Sequence, residues 1–143
     1  MAITAGVNHE FKKEVLLGQH NFTTTTGNVF KIALYPTAST LVPTTAVYSS
    51  TGECANGSGY STGGNTLANI TPVNHTNEGC VSFSTTTWAT STITAGGAQI
   101  YNSTNGSKNV AVLSFSGDKV SSAGDFTITF PAQTAGNAIV RIT

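Results

Sequence analysis

Charge is what this chain has least of. Lys and Arg total 6 and Asp and Glu total 6, which together make 8% of the 143 residues, against roughly 25% in an average globular chain. The two signs cancel to a formal net charge of zero. Neither nucleic acid nor an anionic membrane surface is therefore indicated as an electrostatic partner. Long apolar runs are missing too: none approaches the ~20 residues of a membrane-spanning helix. The opening MAITAGVNHEF has no basic stretch and no apolar core, so it does not read as a signal peptide, and synthesis in a cytosol is expected. Cysteine occurs only at Cys54 and Cys80. The even count allows one disulfide; cytosolic synthesis favours two free thiols.

Thr, Ser, Asn and Gly stand where the charges would be. Such a surface stays soluble through hydroxyls and amides, and its low charge weakens repulsion between copies packed side by side. At this length one domain, residues 1–143, is expected to bury about 68–70% of its unfolded surface. Six Asn-X-Ser/Thr triplets begin at Asn21, Asn56, Asn69, Asn74, Asn102 and Asn105. In so polar a chain, and with no secretory signal, they read as products of composition.

The stretch from Asn8 to Pro36 organises the rest. Phe11, Val15 and then Gly18 or Phe22 recur at three- and four-residue spacing, which predicts a short helix over about 8–18 with one apolar face. Asn8 suits the N-cap, Glu10 the first turn, and Gly18 the left-handed residue that ends a helix. Beyond the Thr run, Phe30, Ile32 and Leu34 alternate with Val29, Lys31 and Ala33, the pattern of a strand with one strongly apolar face. The helix is expected to fold back over that strand.

Pro43 interrupts the next segment. Glycines then crowd around Tyr60, at positions 57, 59, 63 and 64. Their spacing fits neither a dinucleotide fingerprint nor a P-loop, so a loop or bulged strand is predicted. Leu67–Val73 and Cys80–Ser84 read as two strands joined by a polar turn. Gln99–Asn102 and Asn109–Phe115 make the best hairpin, with Asn105-Gly106 between them. Val110 and Val112 face opposite to Ala111, Leu113 and Phe115, so both faces of that arm are apolar and one needs a cover. Phe126, Ile128 and Phe130 alternate with threonines before Pro131, and Ala138–Ile142 closes the chain. The expected fold is mainly β: an antiparallel β-sandwich or flattened barrel of about seven strands with one short N-terminal α-helix.

Residues for chemistry are few. His9, His20 and His75 lack companions at metal-ligand spacing and read as surface or capping residues. Glu10 and Glu14 accompany Lys12 and Lys13, the pattern of a solvated helix face. Asp118 and Asp125 flank a Gly/Ser turn. Glu53 and Glu78, each close to a cysteine, could form a carboxylate pair for glycoside hydrolysis only if the fold brought them together. No framed serine elbow occurs. Tyr48, Tyr60, Trp88 and Tyr101 could offer an aromatic platform for sugars, but packing at strand edges is their commoner use.

The segments FKKEVLLGQHNF, TGNVFKIALYP, TTAVYSSTGE, GSGYSTGGNTL, TTW, GAQIYN, AVLSF and GDFTITFP with NAIVRI occur in that order along almost the whole chain. In these it resembles small virion-associated proteins encoded by tailed bacteriophages, cyanophages and other aquatic phages among them. The resemblance implies a non-enzymatic structural protein. The role it points to is capsid decoration (cement), binding the outer surface of the head and stabilising it. The implied partners are the major capsid protein and further copies of the chain as a homotrimer, because cement proteins commonly sit at local threefold positions. Such a protein is made in the host cytoplasm and carried on the virion. No catalytic residue, metal ligand or cofactor carries over, while Gly59, Tyr60, Gly63 and Gly64 belong to the shared pattern. On this reading Val110 and Val112 are the candidate subunit interface. The alternative is a receptor- or carbohydrate-binding module of a tail or fibre, with Tyr48, Tyr60, Trp88 and Tyr101 as surface contacts. A cell-wall hydrolase would need a carboxylate or metal constellation that the sequence does not supply.

Overall fold

The computed structural model describes residues 2–143. Helix α1 spans His9–Leu16, with both of its predicted ends in place. Asn8 Oδ1 accepts from the Glu10 and Phe11 amides at 2.9 and 3.2 Å, while its Nδ2 donates to Pro43 and Thr45 carbonyls at 2.6 and 2.7 Å. One buried side chain thus caps the helix and ties the 43–45 segment to it. Gly18 takes φ +68°, as the residue after a helix commonly must.

The rest is antiparallel β-structure. A five-stranded sheet has the order β1 (Gly6–Val7), β8 (Lys108–Val120), β7 (Thr94–Asn102), β2 (Phe30–Tyr35), β3 (Asn65–Thr66). A three-stranded sheet orders β10 (Val140–Ile142), β5 (Glu78–Phe83), β4 (Asn69–His75), and β6 (Thr86–Ser91) pairs with β9 (Gly124–Ile128). Between the large sheet and the two small ones lies the main apolar cluster, to which Phe30, Ile32, Ala98, Ile100 and Phe83, Trp88, Phe126 and Val140 all contribute. The fold is mainly β and sandwich-like, as the alternating segments predicted. Among the described residues ten strands replace the expected seven or so. The extra ones are β1, β3 and β6: two are two residues long, and Thr, Ala and Ser around Trp88 give β6 little apolar alternation.

Three expectations are corrected by the packing. The helix's main strand neighbour is β8; its link to β2 runs through Phe22, whose ring lies 6.1 Å from Phe11 and stacks on Phe30 at 4.3 Å. The large sheet has a second apolar layer on its other face, where Ala33, Tyr35, Leu41, Tyr101 and Val112 pack together with Ile3 and Tyr48. Val110 and Val112 do not share a face. Tyr101 pairs with Asn109 and Ile100 with Ala111, so Val110 is the extra residue of a β-bulge and the alternation slips there. Val110 enters the main core and Val112 the second layer, at 0% and 1% exposure, so the chain's own residues cover both and neither is available to a neighbouring subunit.

The glycine-rich loop follows from close backbone approach. A Cβ on Gly64 would stand 1.7 Å from the Ile32 carbonyl oxygen, and one on Gly59 would stand 2.8 Å from the Ser91 Cα. Both glycines also take positive φ.

Candidate functional site

Two tyrosine hydroxyls and a backbone amide converge on Glu53. A tight turn sets it, the Glu53 amide donating to the Ser50 carbonyl at 3.1 Å. Its Oε1 accepts from the Tyr60 hydroxyl at 2.5 Å and the Gly63 amide at 2.7 Å, and its Oε2 from the Tyr48 hydroxyl at 2.5 Å. The Tyr101 hydroxyl donates to the Gly63 carbonyl at 2.8 Å, and its ring stacks on Tyr48 at 4.3 Å. The remaining tyrosine, Tyr35, donates to the Ser49 carbonyl at 2.6 Å. Burial first, and then the Glu53 carboxylate, push Tyr48 and Tyr60 well above the usual phenol range and Tyr101 up to about 12. These phenols are therefore neutral donors at physiological pH. A carboxylate with three donors, held by two loops and the sheet, works as a clamp.

A cleft of about 280 Å³ opens beside this clamp, lined by Glu53, Cys54, Tyr60 and Ile93 among others. Burial, with the Glu53 charge adding to it, pushes the Cys54 thiol up to about 11, so at neutral pH it is a poor nucleophile. Cys54 and Cys80 are both free. Among the described residues no group of three or more His, Cys, Asp or Glu could hold a metal ion.

A second polar cluster was not legible in the sequence. Glu14, expected on a solvated face, is buried, and so is His20, expected at the surface. Glu14 Oε2 lies 2.9 Å from His20 Nε2 and its Oε1 accepts from Lys108 Nζ at 3.1 Å. Asn102 Oδ1 takes the Thr104 and Asn105 amides, which orients its Nδ2 toward His20 Nδ1 at 3.1 Å. His20 Nδ1 is therefore the acceptor and Nε2 carries the hydrogen to Glu14. Burial alone would raise the Glu14 pKa, but hydrogen bonds from His20 and Lys108, with the Lys108 charge, bring it below the usual carboxylate value. The cluster fastens the helix and its following loop to the β7–β8 turn.

The aromatic residues do not form a surface platform. Tyr60, Trp88 and Tyr101 are each less than 5% exposed, and only Tyr48 reaches solvent, half-buried against Tyr101. Tyr60 and Trp88 lie in the main core, with ring centroids 6.1 Å apart, while Tyr101 lies on the opposite face of the large sheet. Glu53 and Glu78 share no partner: Glu78 accepts from the Gly136 amide at 2.9 Å and from Arg141 at 3.2 Å. His75 lies 2.7 Å from the Gln133 carbonyl oxygen.

A larger opening lies elsewhere, where β8 and β9 diverge. It measures about 490 Å³ and is lined by Leu113, Phe115, Phe126, Ile128, Phe130 and Ile139, with Lys119 and Asp125 at one end. Comparison of the chain with protein-family models, with curated proteins and with solved structures finds no match to any of them.

Proposed function

We propose that the protein is a non-enzymatic structural component of a tailed-phage virion, a capsid decoration (cement) protein that binds the outer surface of the head as a homotrimer. The family likeness read along almost the whole chain carries the proposal. What supports the non-enzymatic part is the state of the six acidic residues. Glu10 pairs with Lys13, Glu14 with His20 and Lys108, Glu53 with two tyrosines, and Glu78 with Arg141. Asp118 accepts from the Thr37 amide and hydroxyl, and Asp125 from the Thr90 amide. A general acid or base needs a carboxyl free to reach a substrate; here each already has a hydrogen-bond or ion-pair partner. A cement role also suits a nearly uncharged, hydroxyl-rich exterior that can lie against other coat subunits with little charge repulsion.

The burial of Val110 and Val112 means that a trimer would associate through other surfaces. Exposed Leu16 and Leu17, at 88% and 62%, with Ile142 at 57%, supply apolar area at the helix end. The test is to quantify the protein in purified virions by mass spectrometry and its oligomeric state by native mass spectrometry. Hundreds of copies per particle and a trimer are expected. A handful of copies per particle would transfer the protein to the tail, and turnover of peptidoglycan or host polysaccharide would remove the reading.

A further inference from the structure

We propose that Asn105 is a site of spontaneous deamidation, and that its conversion to a carboxylate unfastens the segment after the helix from the β7–β8 turn. The chain holds two Asn-Gly pairs, Asn56-Gly57 and Asn105-Gly106. Such pairs react because glycine has no Cβ to keep its backbone nitrogen away from the preceding side-chain carbonyl carbon. The Gly nitrogen gives up its proton to water or hydroxide and bonds to the Asn Cγ. The Cγ–Nδ2 bond breaks, and the amide nitrogen leaves as ammonia. Water then opens the resulting cyclic imide at either carbonyl, giving aspartate or isoaspartate, with no oxidant or reductant involved.

By exposure alone Asn56 would be the more reactive, since it lies open to solvent while Asn105 is half-buried. Hydrogen bonding reverses that order. The Gly57 amide donates to the Tyr60 carbonyl at 2.8 Å, and the Gly57 carbonyl accepts the Tyr60 amide at 3.0 Å. Tyr60 is itself fixed through its hydroxyl to Glu53 and Leu34. Attack by the Gly57 nitrogen therefore requires that backbone pair to open. The Gly106 amide donates to no group among the described residues. Gly106 is also exposed, and a Cβ there would meet nothing within 4 Å. Ring closure at Asn105 breaks one side-chain bond, from its Nδ2 to the Gln19 carbonyl at 2.8 Å. That bond is also what the reaction removes for good. Gln19 would keep only the longer bond from Asn102 Nδ2, at 3.3 Å, and would face a carboxylate where a donor had been. This inference does not depend on the virion reading.

The test is to incubate the folded, full-length protein at mildly alkaline pH and to follow the Asn56 and Asn105 peptides over time by mass spectrometry after acid digestion. Asn105 should convert roughly tenfold faster than Asn56, the factor that one hydrogen bond is worth. In urea the two rates should converge, because the Gly57–Tyr60 pair no longer protects its site. Gly106→Ala should slow conversion of Asn105 and leave that of Asn56 unchanged. Hydrogen exchange of residues 19–28 should quicken in the aged protein, and Asn105→Asp should show the same quickening when fresh. Equal rates in the folded protein, or faster conversion of Asn56, would overturn the choice of site. So would an Asn105 that stays intact while the unfolded chain converts. Conversion of Asn105 with no change in exchange at 19–28 would overturn its fastening role.

Discussion

The Tyr60 hydroxyl donates to Glu53 Oε1 at 2.5 Å and accepts the Leu34 amide at 2.9 Å. One phenol thus joins the glycine-rich loop, the Glu53 turn and strand β2. Tyr60→Phe would remove the donor to a carboxylate and strand a buried amide, at a cost of about 2–4 kcal/mol. Urea unfolding at pH 7 measures this. A loss below about 0.5 kcal/mol would show that water replaces the hydroxyl and that the clamp is dispensable.

Glycine positions separate steric need from conformational need. Gly64→Ala puts a methyl against the Ile32 carbonyl at a φ of +72°, so it should cost roughly 2 kcal/mol or more and loosen β3. Gly106 also takes positive φ, at +66°, but a Cβ there meets nothing within 4 Å. Gly106→Ala should cost only about 1 kcal/mol, the backbone term alone. Equal losses in thermal unfolding would mean that the loop moves away from β2 at little cost.

The difference between what was legible in the sequence and what was not lies in range. Asn8 with Glu10, Gly18, and the alternation Phe30, Ile32, Leu34 are local patterns, and each lies where its spacing placed it. The Val110 bulge depends on the pairing of two strands, so no period within β8 announces it. Glu14 reads as a solvated residue beside Lys12 and Lys13; only Lys108, some ninety positions on, and His20 bring it inside. The Glu53 cluster has the same origin, since Tyr101 belongs to a distant strand. The opening between β8 and β9 is less legible still, because it is a space left by two strands that follow each other in sequence and join different sheets.

Val112 lies among Tyr35, Leu41 and Tyr101 in the chain's own second layer. Val112→Asp would bury an unpaired carboxylate and should cost on the order of 4 kcal/mol or more, a large part of a domain's stability. Circular dichroism and gel filtration should show loss of the folded protein at every concentration. A stable folded monomer derived from a wild-type oligomer would instead put Val112 at a subunit contact.

The Glu14 cluster gives the fold a defined acid limit. The folded-state pKa of Glu14 lies below its ordinary value of 4.5, because hydrogen bonds from His20 and Lys108 outweigh burial. The unfolded chain therefore takes up a proton at Glu14 before the folded chain does as pH falls. The stability this group contributes is fully present above about pH 4.5 and is lost as pH drops through the lower folded value. Glu14→Gln should lower the melting temperature at pH 7, and its deficit relative to the wild type should shrink steadily below pH 4.5. Lys108→Met should reduce the same pH-dependent difference, because it removes one of the two groups that lower the pKa. A deficit that stays constant from pH 7 to pH 3 would show that Glu14 holds the helix by packing and neutral hydrogen bonds alone.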